Sequence, residues 1–403
     1  MKKTKYPKLK TDINVDVAII GGGLAGIDTA YLLSQNNISV AVLEGNTIGS
    51  GATSKTTAFL TQIIDTDYSD LINMFGIKGA KSIWEAHGDA IKTVEQIIKS
   101  EKIECNFSKC PDYIFAQTDD EFKEVKEEFS AFKKLGFKAK LHTKSFLPFD
   151  NVGGIEVPNQ AKYYASEFLT SLADRAVKNG VQIFEHTKAS KVSGKSKIIV
   201  YANGRKVIAK DVIIATYDPL DNPIQTKFKK GMYTSYVMEL EIPKNKLPEG
   251  VYEDSKNPYH YFRVDKGQKT DTMIIGGEDH RAELPINPAK NFKALKEFID
   301  KTFPKLNYKI KSKWKGPILE PSDGLPLIGE FAPHRYVACA FSGNGMTYSI
   351  IAAKIFRDQI MGKKNSYSKI FDPTRIPTIK QLTRKFLDYG GEFIGGAAKN
   401  YFK

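Results

Sequence analysis

Cysteine is scarce, with three in 403 residues, and they stand apart at Cys105, Cys110 and Cys339. That number and scatter exclude a disulfide framework and a four-ligand zinc site, and predict reduced thiols. The six histidines form no pair at the helical i, i+4 spacing that binds metal, so no metal site is predicted. Long hydrophobic runs are missing too: nothing approaches the roughly 20 continuous apolar residues of a membrane span. The basic N-terminus, MKKTKYPKLKTD, is not followed by an apolar stretch of signal-peptide type, and a cytoplasmic location is the expectation. Acid is in deficit, with 46 Asp and Glu against 60 Lys and Arg and a formal net charge of +14. Because the lysines are spread along the chain, a solvated basic surface is expected and no nucleic acid partner.

The strongest positive signal is residues 15–44, VDVAIIGGGLAGIDTAYLLSQNNISVAVLE. Val15, Val17, Ile19 and Ile20 form the apolar, β-branched run of a parallel strand buried on both faces. Gly21, Gly23 and Gly26 supply Gly-x-Gly-x-x-Gly. The first glycine allows a sharp turn, the second lets a pyrophosphate approach the backbone, and the third lets the helix pack on the sheet. The helix N-terminus favours an anion. A second strand, residues 38–43, ends at Glu44, whose carboxylate suits ribose hydroxyls and disfavours NADP. A bound dinucleotide follows, with FAD and NAD both open from these residues alone.

Residues 45–62 are rich in glycine and small hydroxyls, and Thr53, Ser54, Thr56 and Thr57 are placed to clasp a pyrophosphate. Helical apolar spacing covers 71–100, 119–135 and 163–178, with His87 and the run EFKEVKEEF read as solvated helix faces. Asn203-Gly204 signals a type I′ hairpin, and 211–215 reads as a buried strand. Short strands with aromatics at 230–242, 259–264 and 272–276 predict a separate, largely antiparallel sheet. On strict alternation Tyr259, Tyr261 and Arg263 share one face, opposite His260 and Phe262. An aromatic pair beside an arginine suits a substrate pocket with a carboxylate clamp, or else an exposed sheet face. A helix over 291–303, a turn-rich return over 317–330 and a strand over 336–341 follow. A second glycine-rich helix start at 342–345 could stabilise negative charge at the N1/O2 edge of a flavin. Residues 380–403 form a basic amphipathic tail that docks on the protein or a partner, or contacts a membrane surface peripherally.

The motifs GGGLAG (21–26), GSGATSKTTA (49–58), DGLPLIG (323–329) and FSGNGMTYS (341–349) together resemble the D-amino-acid-oxidase-like family of FAD-dependent oxidoreductases, which includes glycine, sarcosine and gamma-glutamylputrescine oxidases. SKTTAFLTQ, GGEDH (276–280) and FDPTR (371–375) resemble the branch that carries a C-terminal Rieske domain. No Cys-x-His or Cys-x-x-His pair occurs in this sequence, so no iron–sulfur cluster is expected. The resemblance implies an α/β fold: a Rossmann-like FAD-binding domain of discontinuous segments (1–75, 151–228 and 318–379) and a substrate domain of largely antiparallel sheet and helices (76–150 and 229–317).

Carried over as contacts to non-covalent FAD are Gly21, Gly23, Leu24, Ala25, Gly26, Glu44, Gly45, Ala52, Thr53, Thr57, Ala58 and Phe59. Ala189 is expected at the adenine, and Gly343, Asn344, Gly345, Met346 and Thr347 at the flavin's pyrimidine edge. Sarcosine-type members place a lysine above the flavin that assists reaction with oxygen; Ile274 takes that place here. The implied activity is oxidation of a C–N bond in an amine or amino acid by hydride transfer to flavin N5, giving an imine that hydrolyses. Arg263 is the expected carboxylate clamp and Tyr261 shapes the pocket. The electron acceptor is O₂, or else a quinone or partner protein; a flavin-binding protein without turnover is the further alternative.

Overall fold

The computed structural model of the chain describes residues 6–217, 220, 230–256, 258–321 and 323–376. In chain order its strands are β1 (Ile13–Ile20), β2 (Val40–Leu43), β3 (Phe59–Leu60), β4 (Ser108–Ala116), β5 (Lys140–His142), β6 (Gly153–Lys162), β7 (Gln182–Phe184), β8 (Ala189–Ser193), β9 (Ile198–Ala202), β10 (Arg205–Ile214), β11 (Lys230–Pro243), β12 (Gly250–Asp254), β13 (His260–Asp265), β14 (Thr270–Arg281), β15 (Lys309–Pro321), β16 (Leu327–Ala332) and β17 (Arg335–Cys339). The helices are α1 (Leu24–Ser34), α2 (Tyr68–Glu101), α3 (Asp119–Leu135), α4 (Ala165–Lys178), α5 (Pro288–Thr302), α6 (Gly345–Ile360) and the short α7 (Ser368–Phe371).

β1 lies inside an eight-stranded sheet ordered β16-β17-β10-β1-β2-β7, with β9 on β10 and β8 on β9. β1 pairs in parallel with β2 and β10, as its doubly apolar composition requires. Val17 and Ile19 enter the core shared with α1, α2, α4 and α6, whereas Val15, Ala18 and Ile20 enter a second core under β8 and β9. The turn between β9 and β10 has φ of 49° at Asn203 and 77° at Gly204, the type I′ signature. The strand expected from Asp211 is the second half of β10.

The second sheet has nine strands, ordered β15-β11-β14-β13-β12-β4-β6-β3 with β5 on β6, and is antiparallel except where β12 meets β4. Phe262, Val264, Met273 and Ile275 on one face pack against Leu295 and Ile299 of α5. The opposite face carries Tyr261, Arg263 and Ile274, so the alternation read from the sequence holds across β13.

Several sequence expectations shift. β6, within the segment 151–228 assigned to the FAD-binding domain, pairs in this larger sheet with β3, β4 and β5, and GGIEVPNQAK carries no local pattern that announces those partners. β15 carries that sheet to Pro321, so the expected boundary at residue 317 falls inside a strand. α2 begins at Tyr68 and is broken at Gly76, whose φ is 71°. His87 is not solvated: it is fully buried, edge-on to Tyr348 at 4.6 Å, and burial pushes its pKa down to about 3. Within EFKEVKEEF, Glu128 is buried and accepts the Tyr68 and Ser69 N–H groups at 2.7 and 3.0 Å, capping α2. A polar residue whose partner lies 60 positions away carries no local sign of burial. The amphipathic tail over 380–403 lies outside the described residues. Among the described residues no helix is long and apolar enough to cross a membrane.

Candidate FAD and substrate site

The turn from β1 to α1 fits a dinucleotide at each glycine. Gly21 has φ of +115°, and a Cβ there would lie 2.5 Å from the Ala215 carbonyl oxygen. A Cβ on Gly26 would lie 2.0 Å from the Gly21 carbonyl, so α1 rests directly on the turn. At Gly23 a Cβ would meet only Thr53 Oγ1, at 3.2 Å, which leaves room for a phosphate. Gly23 caps α1 without a side chain, the first turn holds no acid, and the Leu24 N–H donates to Thr53 Oγ1 at 3.2 Å. The positive end of α1 is thus left to an external anion. Ala25 lies in this same first turn.

Glu44 stands at the end of β2. Its carboxylate accepts the Gly22 N–H at 2.8 Å and the Asn46 N–H at 2.7 Å. Its backbone carbonyl accepts the Thr187 N–H at 2.7 Å, which brings the start of β8, with Ala189, alongside Glu44 and Gly45. Glu185 was not singled out by sequence. It is buried and accepts the Ile48 N–H at 2.9 Å and the Tyr6 N–H at 3.0 Å, fixing the loop after Glu44. An acid in a short polar loop gives no signal of that role.

The next segment makes a 3₁₀ turn, Ala52–Lys55, held by Trp314, whose Nε1 donates to the Lys55 carbonyl at 2.9 Å. Ala52 is exposed, and Thr53 and Thr57 are half-buried. Two of the hydroxyls expected on phosphate are engaged locally: Ser54 donates to the Gly51 carbonyl at 3.0 Å, and Thr56 accepts the Ala58 N–H at 3.0 Å. Ala58 takes φ of 62°, a left-handed conformation unusual for alanine. Phe59 then meets Tyr261 edge-on at 5.7 Å, joining the FAD-binding segment to the second sheet.

Arg263 comes to the expected face with a different set of partners. It is 2% exposed, Nη2 lies 3.0 Å from Asp265, and Nη1 donates to the Ala58 and Tyr163 carbonyls at 3.1 Å each. A guanidinium committed in this way holds the strained Ala58 in place rather than reaching into a pocket. Lys162 completes the network, 2.7 Å from Asp265 and 2.8 Å from Glu249. Tyr261 stacks on Tyr259 at 5.5 Å and hydrogen-bonds Ser235 through its hydroxyl at 2.9 Å. Ile274 pairs with Arg263 across the strands and shares their face.

At the start of α6 no side chain caps Gly345 and no acid lies in the first turn. Asn344 instead accepts the Asp65 N–H at 3.0 Å and donates to the Ile63 carbonyl at 3.3 Å, tying the 63–65 loop to the helix. Asp65 in turn accepts the Gly343 N–H at 2.6 Å. Met346 and Thr347 are buried, which leaves their backbones as the groups able to face a flavin edge. Asp65, not singled out by sequence, thus lies against the helix start expected at that edge.

The sequence profile of the DAO family, FAD dependent oxidoreductases, matches residues 16–359. The chain belongs to that family. It is an FAD-dependent oxidoreductase, and the glycine cradle, the open α1 terminus and Glu44 fit that cofactor. Similar proteins include YhfW of Bacillus subtilis, whose name marks it as a provisional Rieske 2Fe-2S iron–sulfur protein, 27% identical over 97% of this chain and 78% of YhfW. The gamma-glutamylputrescine oxidoreductase of Escherichia coli is 21% identical over 90% of this chain and 87% of that protein. Among solved structures, the L-proline dehydrogenase of P. horikoshii superposes with a TM-score of 0.75 at 19% identity, covering 90% of this chain and 98% of the other. At that identity the likeness establishes the shared fold.

Proposed function

We propose that this member of the DAO family oxidises the C–N bond of a small amine or amino acid. The observation that carries the reading is the meeting of Phe59, next to the strained Ala58 of the FAD-binding segment, with Tyr261 on the face of the second sheet. That contact makes an aromatic wall where cofactor and substrate segments converge. When bound, FAD supplies a two-electron sink that takes a hydride at N5 from the carbon next to nitrogen. The substrate also loses a proton from nitrogen, and water adds to the resulting imine to release a carbonyl compound and an amine or ammonia.

This chain's residues position and shield. Tyr259 and Tyr261 stack to exclude water from one side, and Arg263 fixes Ala58 so that Phe59 keeps its place. Gly343 and the backbone of Gly345, Met346 and Thr347 are assigned to the pyrimidine edge, and Ala189 to the adenine. Cys339 is buried in β17, which supports a non-covalently held cofactor. Ile274, an apolar residue on the same face, favours an acceptor other than O₂, such as a quinone or a redox partner.

The test is stoichiometry. Holoprotein supplied with an amine and a two-electron artificial acceptor should yield one carbonyl product per acceptor reduced. Acceptor reduction without a carbonyl product would contradict C–N oxidation.

A further inference from the structure

The GGEDH run does something on β14 that alternation alone would not. Gly276 lies opposite Tyr261, and Gly277 lies opposite both His260 and Tyr236. The strand then takes an extra residue, so that Thr234 pairs with His280, and φ reaches +147° at Gly277 and +55° at Glu278. A bulge of this kind reverses which residues face which side. Glu278 turns toward α5, where its Oε1 lies 3.1 Å from His260 Nε2. Asp279 turns to the aromatic face, on the side of Ser235 and Tyr259. A non-glycine residue in the left-handed region is strained, and here the strain aims a carboxylate.

That carboxylate is not alone. Glu253 pairs across the strands with Tyr261 on the same face. Asp112, two residues before the Glu253 partner Ile114, is fully buried on this face, and neither of its oxygens has a hydrogen-bond partner. Asp279 Oδ1 is likewise buried without one. Asp65 approaches from the α6 side, within electrostatic range of Tyr259, Tyr261 and Asp279. The two buried cations of the face, Lys162 and Arg263, are already matched by Glu249 and Asp265. Arg281, two residues past Asp279, lies on the same side. Burial raises Asp279 and Asp112 to about 7 and Glu253 well above the usual carboxylate range, so in a chain of net charge +14 this aromatic surface is rich in acids that a bound ammonium would draw into their ionised form.

We propose that this surface takes an amine carrying a second cationic nitrogen, a diamine, with Asp279 holding the distal ammonium. An α-amino acid fits it poorly, since its carboxylate would meet carboxylates while Arg263 stays with Asp265. The inference rests on the amine-oxidising reading above and narrows its substrate class.

The experiment is the anaerobic reductive half-reaction of the holoprotein with three probes: 1,4-diaminobutane, butylamine and N-methylglycine. The expected result is flavin reduction by the diamine at a concentration at least about tenfold lower than by butylamine. Asp279→Asn should erase most of that preference, while an unchanged flavin spectrum reports an intact fold. Should Asp279→Asn lose its flavin, Glu253→Gln provides the second variant, and the wild-type ranking stands as its own test. Faster reduction by N-methylglycine, or equal affinity for diamine and monoamine, overturns the diamine assignment and leaves amine oxidation standing. Flavin that none of the three reduces overturns the diamine assignment, and flavin that D-amino acids also fail to reduce overturns amine oxidation with it.

Discussion

At the residue scale, Gly26 and Arg263 hold the backbone on which the proposed cofactor site is built. A methyl group at Gly26 would lie 2.0 Å from the Gly21 carbonyl oxygen, so Gly26→Ala must push α1 off β1. Overpacking of this kind costs roughly 1–3 kcal/mol, and the displaced helix end loses its aim at the phosphates. Purified Gly26→Ala is predicted to carry far less flavin per protein than the parent; full flavin content would contradict the account. Arg263→Ala removes a buried cation from between Asp265 and two carbonyls. Breaking a buried ion pair costs about 3–5 kcal/mol, so the denaturation midpoint of the holoprotein should fall sharply. If stability is unchanged and only the Michaelis constant for an amino acid rises, Arg263 is a carboxylate clamp after all.

At the element scale, α1 bears on the site through a group its own sequence hides. Asp28 is buried between α1 and its neighbours, and burial pushes its carboxyl up from 3.8 to about 7, with the Ser349 hydroxyl pulling the other way. Between about pH 4 and 7 the folded chain keeps a proton there that the unfolded chain releases. Stability therefore falls as pH rises through that window. Asp28→Asn should flatten this slope and be more stable than the parent at pH 8 by on the order of 1 kcal/mol or more, read from urea midpoints at pH 5 and 8. A parent no less stable at pH 8 than at pH 5 would rule this out. The elements themselves differ in how readable they are. β1, α1 and β2 carry local chemistry at every position, and α3 runs over the expected residues because its apolar spacing and Gly136 stop are local. β4 and β12 escape notice because they hold proline, acids and tyrosines whose partners come from distant strands. The aim of Asp279 depends on a bulge that period-two reading cannot contain, and the burial of His87 depends on α6, more than 250 residues away.

At the scale of the whole molecule, two sheets meet along the segment from Ala52 to Phe59, and the proposed cofactor site draws on both. The family was legible because its glycine motifs are local and ordered along the chain; the pocket was not, because its walls are tertiary. Glu253, Asp65 and Asp279 are ordinary surface-type residues until β12, β14 and the α6 start bring them to Tyr261. Ile274 belongs to this scale as well, since its effect depends on what lies across the site. Turnover with an artificial acceptor should exceed turnover with O₂ by more than about tenfold, roughly 1.4 kcal/mol of barrier. Equal rates would make the protein an oxidase. The most direct test of the account is the absorption spectrum of the purified protein, followed anaerobically while amines, N-methylamino acids and D-amino acids are added in turn. The account predicts a flavin band that at least one of these classes bleaches. A protein without flavin, or a band that none of them bleaches, would contradict it.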